Sequence, residues 1–227
     1  MIPADSEDAL KFSVNKLGVN VIECEAIRIP DTARDANKME HWNQTFFKLN
    51  VMRLTWLEKV LYIDADMLVL NNIDCLFDYP AISATTGGKS AHPEWTEFNS
   101  GLMVIEPSME MFRRLVDCIE PAINRRQAHN LGYGDQDVFN QFYPEWNTEP
   151  EHHFEEVYNA VCCYLDALMQ RRSLRKLSDI YVLHYIGANK IWNNSLIKNL
   201  KIIRGCFSDK KSYEARAYLL YLCYLYL

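Results

Sequence analysis

Apolar runs bounded by polar residues recur along the chain and predict buried strands. The longest covers residues 59–70, where apolar residues flank an Asp-Ala-Asp sequence on both sides. Shorter runs at 99–105 and 181–184 have the same character. Apolar runs of this kind are typical of strands covered on both faces, as in a mostly parallel sheet. The aspartates therefore stand where a buried strand ends, which is where ligands bind in open α/β sheets.

Amphipathic stretches between these runs predict helices. Apolar residues recur at three- and four-residue spacing in 46–57, a second stretch follows Pro107 at 108–119, and a Gly-Asp-Gln turn leads into a third within 133–142. The alternation of strands and helices predicts an α/β fold, in which a mostly parallel sheet flanked by helices forms a single Rossmann-like domain. We expect this domain to cover residues 1–200 and a C-terminal helical extension to cover 201–227.

The composition excludes several classes of protein. The chain has 24 basic and 30 acidic residues and a formal charge of −6, so it lacks the excess positive charge that a general nucleic-acid binder needs. Its seven cysteines are scattered without the paired spacing of a zinc finger, which favours reduced thiols and a cytoplasmic protein. The N-terminus lacks a signal-peptide pattern, and the apolar run at 217–227 is too short to span a bilayer.

Asp64 and Asp66 are candidate ligands of a metal ion. Two residues spaced i, i+2 in a strand point to opposite faces, so the chain must leave the strand at or just after Asp64 if both are to bind one ion. Apolar residues on both sides indicate burial, and buried like charges are costly unless a cation compensates them. Mn²⁺ and Mg²⁺ both take carboxylate and phosphate oxygens. The alternative is a solvated turn or a helix cap.

His184 ends the run at 181–184 and begins a second candidate segment. A glycine at 187 permits close approach of a ligand to the backbone, and Lys190 supplies a point charge for a phosphate. A histidine nitrogen next to two carboxylates shifts the metal preference toward Mn²⁺. These residues together predict a site that binds a diphosphate, although a lone histidine is more often structural. Asn99, Asp135 and Gln136 are polar groups beside apolar segments, where burial requires a hydrogen-bond partner such as a ligand. The alternative is that they stabilise turns or cap helices.

Seven motifs in order make the sequence similar to the family-eight retaining glycosyltransferases, and within them to the glycogenin-like branch. The motifs span residues 2–192, most of the chain. They are Phe-Phe-Lys-Leu with Lys48, Tyr-Ile-Asp-Ala-Asp-Met with Asp64, the segment 72–77, Phe-Asn-Ser-Gly at 98–101, Gly-Asp-Gln-Asp at 134–137, Tyr158-Asn159, and His-x-x-Gly-x-x-Lys at 184–190.

The resemblance implies a fold of the GT-A type, a UDP-sugar donor, retention of the anomeric configuration and a hexosyltransferase activity. It implies that Asp64, Asp66 and His184 bind the metal ion, Mn²⁺ or Mg²⁺. It also implies donor contacts from Lys48, Ala65, Ser100, Gly101, Gly187 and Lys190, and contacts to the donor sugar from Asn99, Asp135 and Gln136. Among these, Asp135, Gln136 and Lys190 are the expected catalytic residues.

Departures from the family pattern leave alternatives open. The usual N-terminal strand and helix would be lacking, so the domain at 1–200 would be N-terminally truncated, and the tyrosine that accepts glucose in glycogenins aligns near Asp166. One alternative is a weakly active or inactive relative that serves as a partner or regulatory subunit. Another is a metal-dependent hydrolase of phosphate esters. The expected partners are the UDP-sugar, a carbohydrate, lipid or protein acceptor, and a second copy of the chain in a homodimer.

Overall fold

The computed structural model describes residues 1–4, 18–187 and 190–226, and its strands and helices lie in those ranges. The strands are β1 (Ile2–Pro3), β2 (Glu23–Cys24), β3 (Val60–Ile63), β4 (Met67–Val69), β5 (Ser83–Thr85), β6 (Asn99–Ile105), β7 (Ala160–Val161) and β8 (Val182–His184). The α-helices are α1 (Asp31–Ala36), α2 (Met109–Asp117), α3 (Ile119–Ala128), α4 (Asp135–Phe142), α5 (Leu165–Arg171), α6 (Leu196–Ser208) and α7 (Ser212–Tyr226). The 3-10 helices are Glu40–Arg53, Asp74–Asp78, Pro144–Thr148, Pro150–His152, Glu156–Tyr158, Cys162–Tyr164, Leu177–Asp179 and Ile191–Asn193.

The predicted α/β class and the flanking helices are confirmed. The described strands form three small sheets, with the orders β1–β2, β3–β6–β5 and β4–β8–β7. The expected parallel pairing is present between β1 and β2 and between β7 and β8. In contrast, β4 pairs antiparallel with β8, and β5 pairs antiparallel with β6. The sheets are therefore of mixed direction.

The first of two compact units consists of residues 1–60 and 106–145. Its helices α2 and α4 pack against the 3-10 helix Glu40–Arg53, which replaces the helix predicted at 46–57. Leu115 of α2 and Phe139 of α4 are fully buried there. The Ser108 hydroxyl caps α2 by accepting a hydrogen bond from the Met111 N–H at 3.3 Å. This packing holds the start of α4, where Asp135 lies.

The second compact unit consists of residues 61–105 and 146–227. Its core surrounds β7 and β8 and includes residues from α5, α6 and α7, such as Leu168, Ile203 and Ala217. The hydroxyl of Tyr185, directly after β8, donates to the Ala217 carbonyl at 2.9 Å. The predicted boundary between 200 and 201 lies inside α6, which begins at residue 196, and the separate extension stays a prediction. Within the described ranges, the helices are too short or too polar to cross a bilayer.

Candidate functional site

The turn between β3 and β4 carries both predicted aspartates. The Asp64 N–H donates to the Gly101 carbonyl of β6 at 2.8 Å, and the Met67 N–H closes the turn onto the Asp64 carbonyl at 3.2 Å. The Asp66 carbonyl accepts from the Tyr185 N–H at 2.9 Å. The chain therefore leaves the strand at Asp64, as the i, i+2 spacing required. Both carboxylates are half-buried, and the backbone of this turn is fixed by three hydrogen bonds.

Strand β8 brings His184 to this turn. His184 pairs with Met67 across the antiparallel ladder, one residue beyond Asp66. Its side chain is buried, with a relative exposure of 3% for the residue. The ligand atoms of Asp64, Asp66 and His184 lie within 4.8 Å of one another. The structure therefore brings together the three residues predicted to bind a metal ion, and two carboxylates with one imidazole suit a divalent cation.

The side chains of Lys190 and His184 lie beside the Asp66 carboxylate. Lys190 Nζ lies 2.5 Å from Asp66 Oδ2 and donates to the Tyr185 carbonyl at 2.7 Å, while His184 Nε2 lies 3.2 Å from Asp66 Oδ1. Burial raises the pKa of Asp66, but hydrogen bonds and charges from His184 and Lys190 outweigh this effect and hold the pKa well below its ordinary value. Asp66 is therefore a stable anion, as a metal ligand must be.

The predicted donor-contact residues of the second unit lie around this turn. Ala65 is exposed at its tip, and Ser100 and Gly101 are buried in β6. Gly187 has φ +95°, in the left-handed region that favours glycine, and a Cβ atom at this position would meet none of the described residues within 4 Å. Asn99 begins β6, and its Oδ1 accepts from the Gly101 N–H at 3.0 Å.

Asn159 is a polar residue of this region to which the sequence analysis gave no function. It is fully buried, its Nδ2 donates to Asn99 Oδ1 at 2.8 Å, and its Oδ1 lies 2.9 Å from His184 Nδ1. The sequence contained a signal for it besides the Tyr158-Asn159 motif. Asn159 directly precedes an apolar pair that forms β7, and a polar residue beside a buried strand requires a hydrogen-bond partner.

The remaining predicted residues lie together in the first unit. Lys48 Nζ is 2.6 Å from Asp135 Oδ2, and both side chains are almost completely buried. The Asp135 N–H donates to Thr45 Oγ1 at 3.1 Å at the start of α4. Gln136 follows and is half-buried. The structure thus joins Lys48 to Asp135, and the contact of Asp135 and Gln136 with a donor sugar stays a prediction.

A second group in the second unit, Glu149, Glu151 and His152, also has ligand atoms within 4.8 Å of one another. Glu151 is exposed, and His152 Nδ1 lies 3.0 Å from the Ile82 carbonyl. The backbone carbonyl thus engages one of the two ring nitrogens. The group suits use as a control in metal-binding experiments.

The chain is similar to proteins of known family. A model of glycosyl transferase family 8 matches residues 2–195. The UDP-glucuronate:xylan alpha-glucuronosyltransferase 1 of Arabidopsis thaliana is 36% identical over 172 residues, which are 75% of this chain and 24% of that protein. Glycogenin-1 of Homo sapiens is 31% identical over 166 residues, which are 70% of this chain and 43% of that protein. The chain thus spans about a quarter of the first relative and less than half of the second.

The solved structure of the galactosyltransferase LgtC, in complex with donor and acceptor sugar analogs, has the same fold. It superposes with a TM-score of 0.52 at 19% sequence identity and covers 77% of this chain, which covers 69% of that one. The predicted GT-A type of fold is thereby confirmed.

Proposed function

The chain belongs to glycosyl transferase family 8, and on this basis we propose that it transfers a hexosyl group from a UDP-sugar to an acceptor. The transfer retains the anomeric configuration and requires a divalent metal ion. The observation that carries the proposal is the grouping of Asp64, Asp66 and His184 at the turn between β3 and β4. These are the residues that the family motifs imply as metal ligands.

The ligand set favours Mn²⁺. Carboxylate oxygens of Asp64 and Asp66 suit Mn²⁺ and Mg²⁺ alike, while the imidazole nitrogen of His184 favours the softer Mn²⁺. A divalent ion bound there supplies positive charge to the diphosphate of the donor. The low pKa of Asp66 keeps this ligand ionised throughout the physiological pH range.

Lys190 acts on the leaving group. When the bond between the anomeric carbon and the β-phosphate oxygen breaks, negative charge develops on the departing UDP. The Lys190 ammonium is held beside Asp66 by its contacts to Asp66 Oδ2 and the Tyr185 carbonyl. A fixed positive charge at this point stabilises the transition state more than the ground state, and this difference lowers the barrier.

Asp135 and Gln136 contact the donor sugar in this proposal. The sugar becomes oxocarbenium-like as the bond breaks, and a carboxylate near the anomeric carbon stabilises that charge or attacks the carbon as a nucleophile. Support comes from the buried ion pair between Asp135 and Lys48, which holds the carboxylate in one orientation. We also propose that the protein is cytoplasmic and forms a homodimer.

An assay of product formation tests the proposal. The purified chain is incubated with UDP-glucose, UDP-galactose or UDP-glucuronate in Mn²⁺, with xylan and glucan oligosaccharides as acceptors. We expect one donor to give a glycosylated acceptor whose new linkage keeps the donor's α configuration by NMR. The Asp66→Asn variant should give no product, because it loses an anionic ligand. Free sugar without transfer would indicate a hydrolase, and donors that bind but stay intact would indicate a regulatory subunit.

A further inference from the structure

The hydrogen bonds behind His184 point to a function for Asn159. We infer that Asn159 is a positioning residue that holds the His184 ring as its Nδ1–H tautomer, so that Nε2 is presented to the metal ion. This inference rests on the proposed function of Asp64, Asp66 and His184 as a metal site. It assigns to Asn159 an indirect contribution, because the residue acts through His184.

The Gly101 N–H can only donate, and this fixes the direction of the hydrogen bonds from Asn99 through Asn159 to His184. The Gly101 N–H lies 3.0 Å from the Asn99 side chain, so the Asn99 atom facing it is Oδ1. The Asn159 side chain meets that same oxygen at 2.8 Å, so it does so with its Nδ2. The Oδ1 of Asn159 must then be the atom that faces His184 Nδ1 at 2.9 Å. Since an amide oxygen only accepts, His184 Nδ1 carries a proton.

The other ring nitrogen is thereby fixed as the ligand atom. His184 Nε2 lies 3.2 Å from Asp66 Oδ1, and two lone pairs at this distance repel unless a proton or a metal ion lies between them. Histidines that bind metals usually donate their second ring N–H to a protein acceptor, which sets both the tautomer and the ring orientation. Asn159 has a residue exposure of 0% and His184 of 3%, so bulk solvent does not reach the hydrogen bond between them.

The packing of Gly101 supports the same arrangement. A Cβ atom at Gly101 would lie 2.5 Å from His184 Cε1 and 2.8 Å from Asn99 Oδ1, which is closer than real Cβ contacts. The absence of a side chain therefore lets the imidazole and the Asn99 amide lie against β6. The series of hydrogen bonds thus runs from the Gly101 N–H through Asn99 and Asn159 to the His184 ring, and Gly101 contacts both of its ends.

The test replaces Asn159 by Leu, which removes the acceptor at similar volume. Asn199→Leu is the matched control, because Asn199 is also buried in the same unit and donates to the Ile191 carbonyl at 2.9 Å. Binding of Mn²⁺ alone is measured by EPR of the free ion. The tautomer of His184 is measured by ¹⁵N NMR of the metal-free protein at alkaline pH, and the ring signals are assigned with His184→Gln.

We expect Asn159→Leu to weaken Mn²⁺ binding about 10–100-fold, the usual effect of losing an outer partner of a metal ligand. The ¹⁵N signals should lose the Nδ1–H tautomer, and Asn199→Leu should change neither result. Asn159→Asp keeps an acceptor and should keep the Nδ1–H tautomer. Asn159→Ala carries the same expectation as the leucine variant and replaces it if that variant does not fold.

The two measurements separate the inference from the proposed function. Wild-type protein that binds no Mn²⁺ but shows an Asn159-dependent tautomer would contradict the metal site and support the positioning of the ring. Unchanged Mn²⁺ affinity and an unchanged tautomer in the leucine or alanine variant would overturn the inference, whatever the fate of the metal site.

Discussion

At the residue scale, the candidate metal centre depends on residues of two kinds. Asp64, Asp66 and His184 could be predicted because their chemistry and their positions after apolar runs are visible locally. Asn159 stood out in the sequence only as part of the Tyr158-Asn159 motif, and its function could not be predicted, because its partners Asn99 and His184 are distant in sequence. Long-range side-chain pairs depend on the folded geometry, and only the structure supplied them.

Lys190 gives a prediction at this scale. Replacing it by Ala should lower kcat about 10²–10³-fold, as the removal of a group that stabilises developing charge does in other enzymes. The side chain is partly exposed, so the melting temperature should change little. Steady-state kinetics and thermal unfolding on Lys190→Ala measure both effects. Lys198→Ala, an exposed lysine of α6, is the control and should keep normal turnover. A variant with normal kcat but reduced stability would show that Lys190 is structural.

At the element scale, apolar runs predicted the position of strand β6 correctly, whereas the spacing of apolar residues at 46–57 did not predict the type of helix. Strand β6 spans 99–105 as predicted, because the run is apolar from Gly101 onward and buried from Ser100 to Ile105. The helix predicted at 46–57 is instead a 3-10 helix, Glu40–Arg53. Recurrence at three- and four-residue spacing is the period of an α-helix, and it did not reveal the tighter hydrogen bonding of a 3-10 helix in this segment, which packs against α2 and α4.

Two glycines in different elements should respond to Ala in opposite directions. Gly101→Ala places a Cβ against the His184 ring and should lower the free energy of unfolding by about 1–3 kcal/mol, as overpacking does. Gly205 lies inside α6 with no atom near its missing Cβ, so Gly205→Ala should raise the free energy of unfolding by about 0.5–1 kcal/mol. Urea unfolding measures both. Equal effects of the two substitutions would contradict the packing described around β6.

Asp166 stabilises the start of α7. Its two carboxylate oxygens accept from the Tyr213 N–H at 3.1 Å and the Glu214 N–H at 2.9 Å, which would otherwise lack helical partners. Asp166→Ala should therefore lower the free energy of unfolding by about 0.5–2 kcal/mol. Asp78→Ala, at an exposed residue of the same unit, should have a much smaller effect on the urea midpoint. A midpoint shift no larger than that of the control would show that the cap contributes nothing.

At the scale of the whole molecule, the order of motifs predicted the family and the fold, while strand direction could not be predicted. Apolar runs report burial on both faces, and antiparallel pairs buried in a core have the same composition as parallel ones. The pairing of β4 with β8 is antiparallel, and this pairing is what brings His184 beside Asp66. The predicted metal group therefore formed through a sheet whose direction the sequence had not revealed.

Calorimetry of UDP binding tests the central claim most directly. Asp64 and Asp66 repel the diphosphate unless a divalent cation lies between them, so wild-type protein should bind UDP in Mn²⁺ and much more weakly in chelator. The double variant Asp64→Asn, Asp66→Asn should lose the effect of Mn²⁺ while remaining folded by circular dichroism. The control Glu149→Gln, Glu151→Gln alters the other acidic group of the second unit and should keep the effect. Equal UDP affinity of the wild-type protein in Mn²⁺ and in chelator would contradict the account.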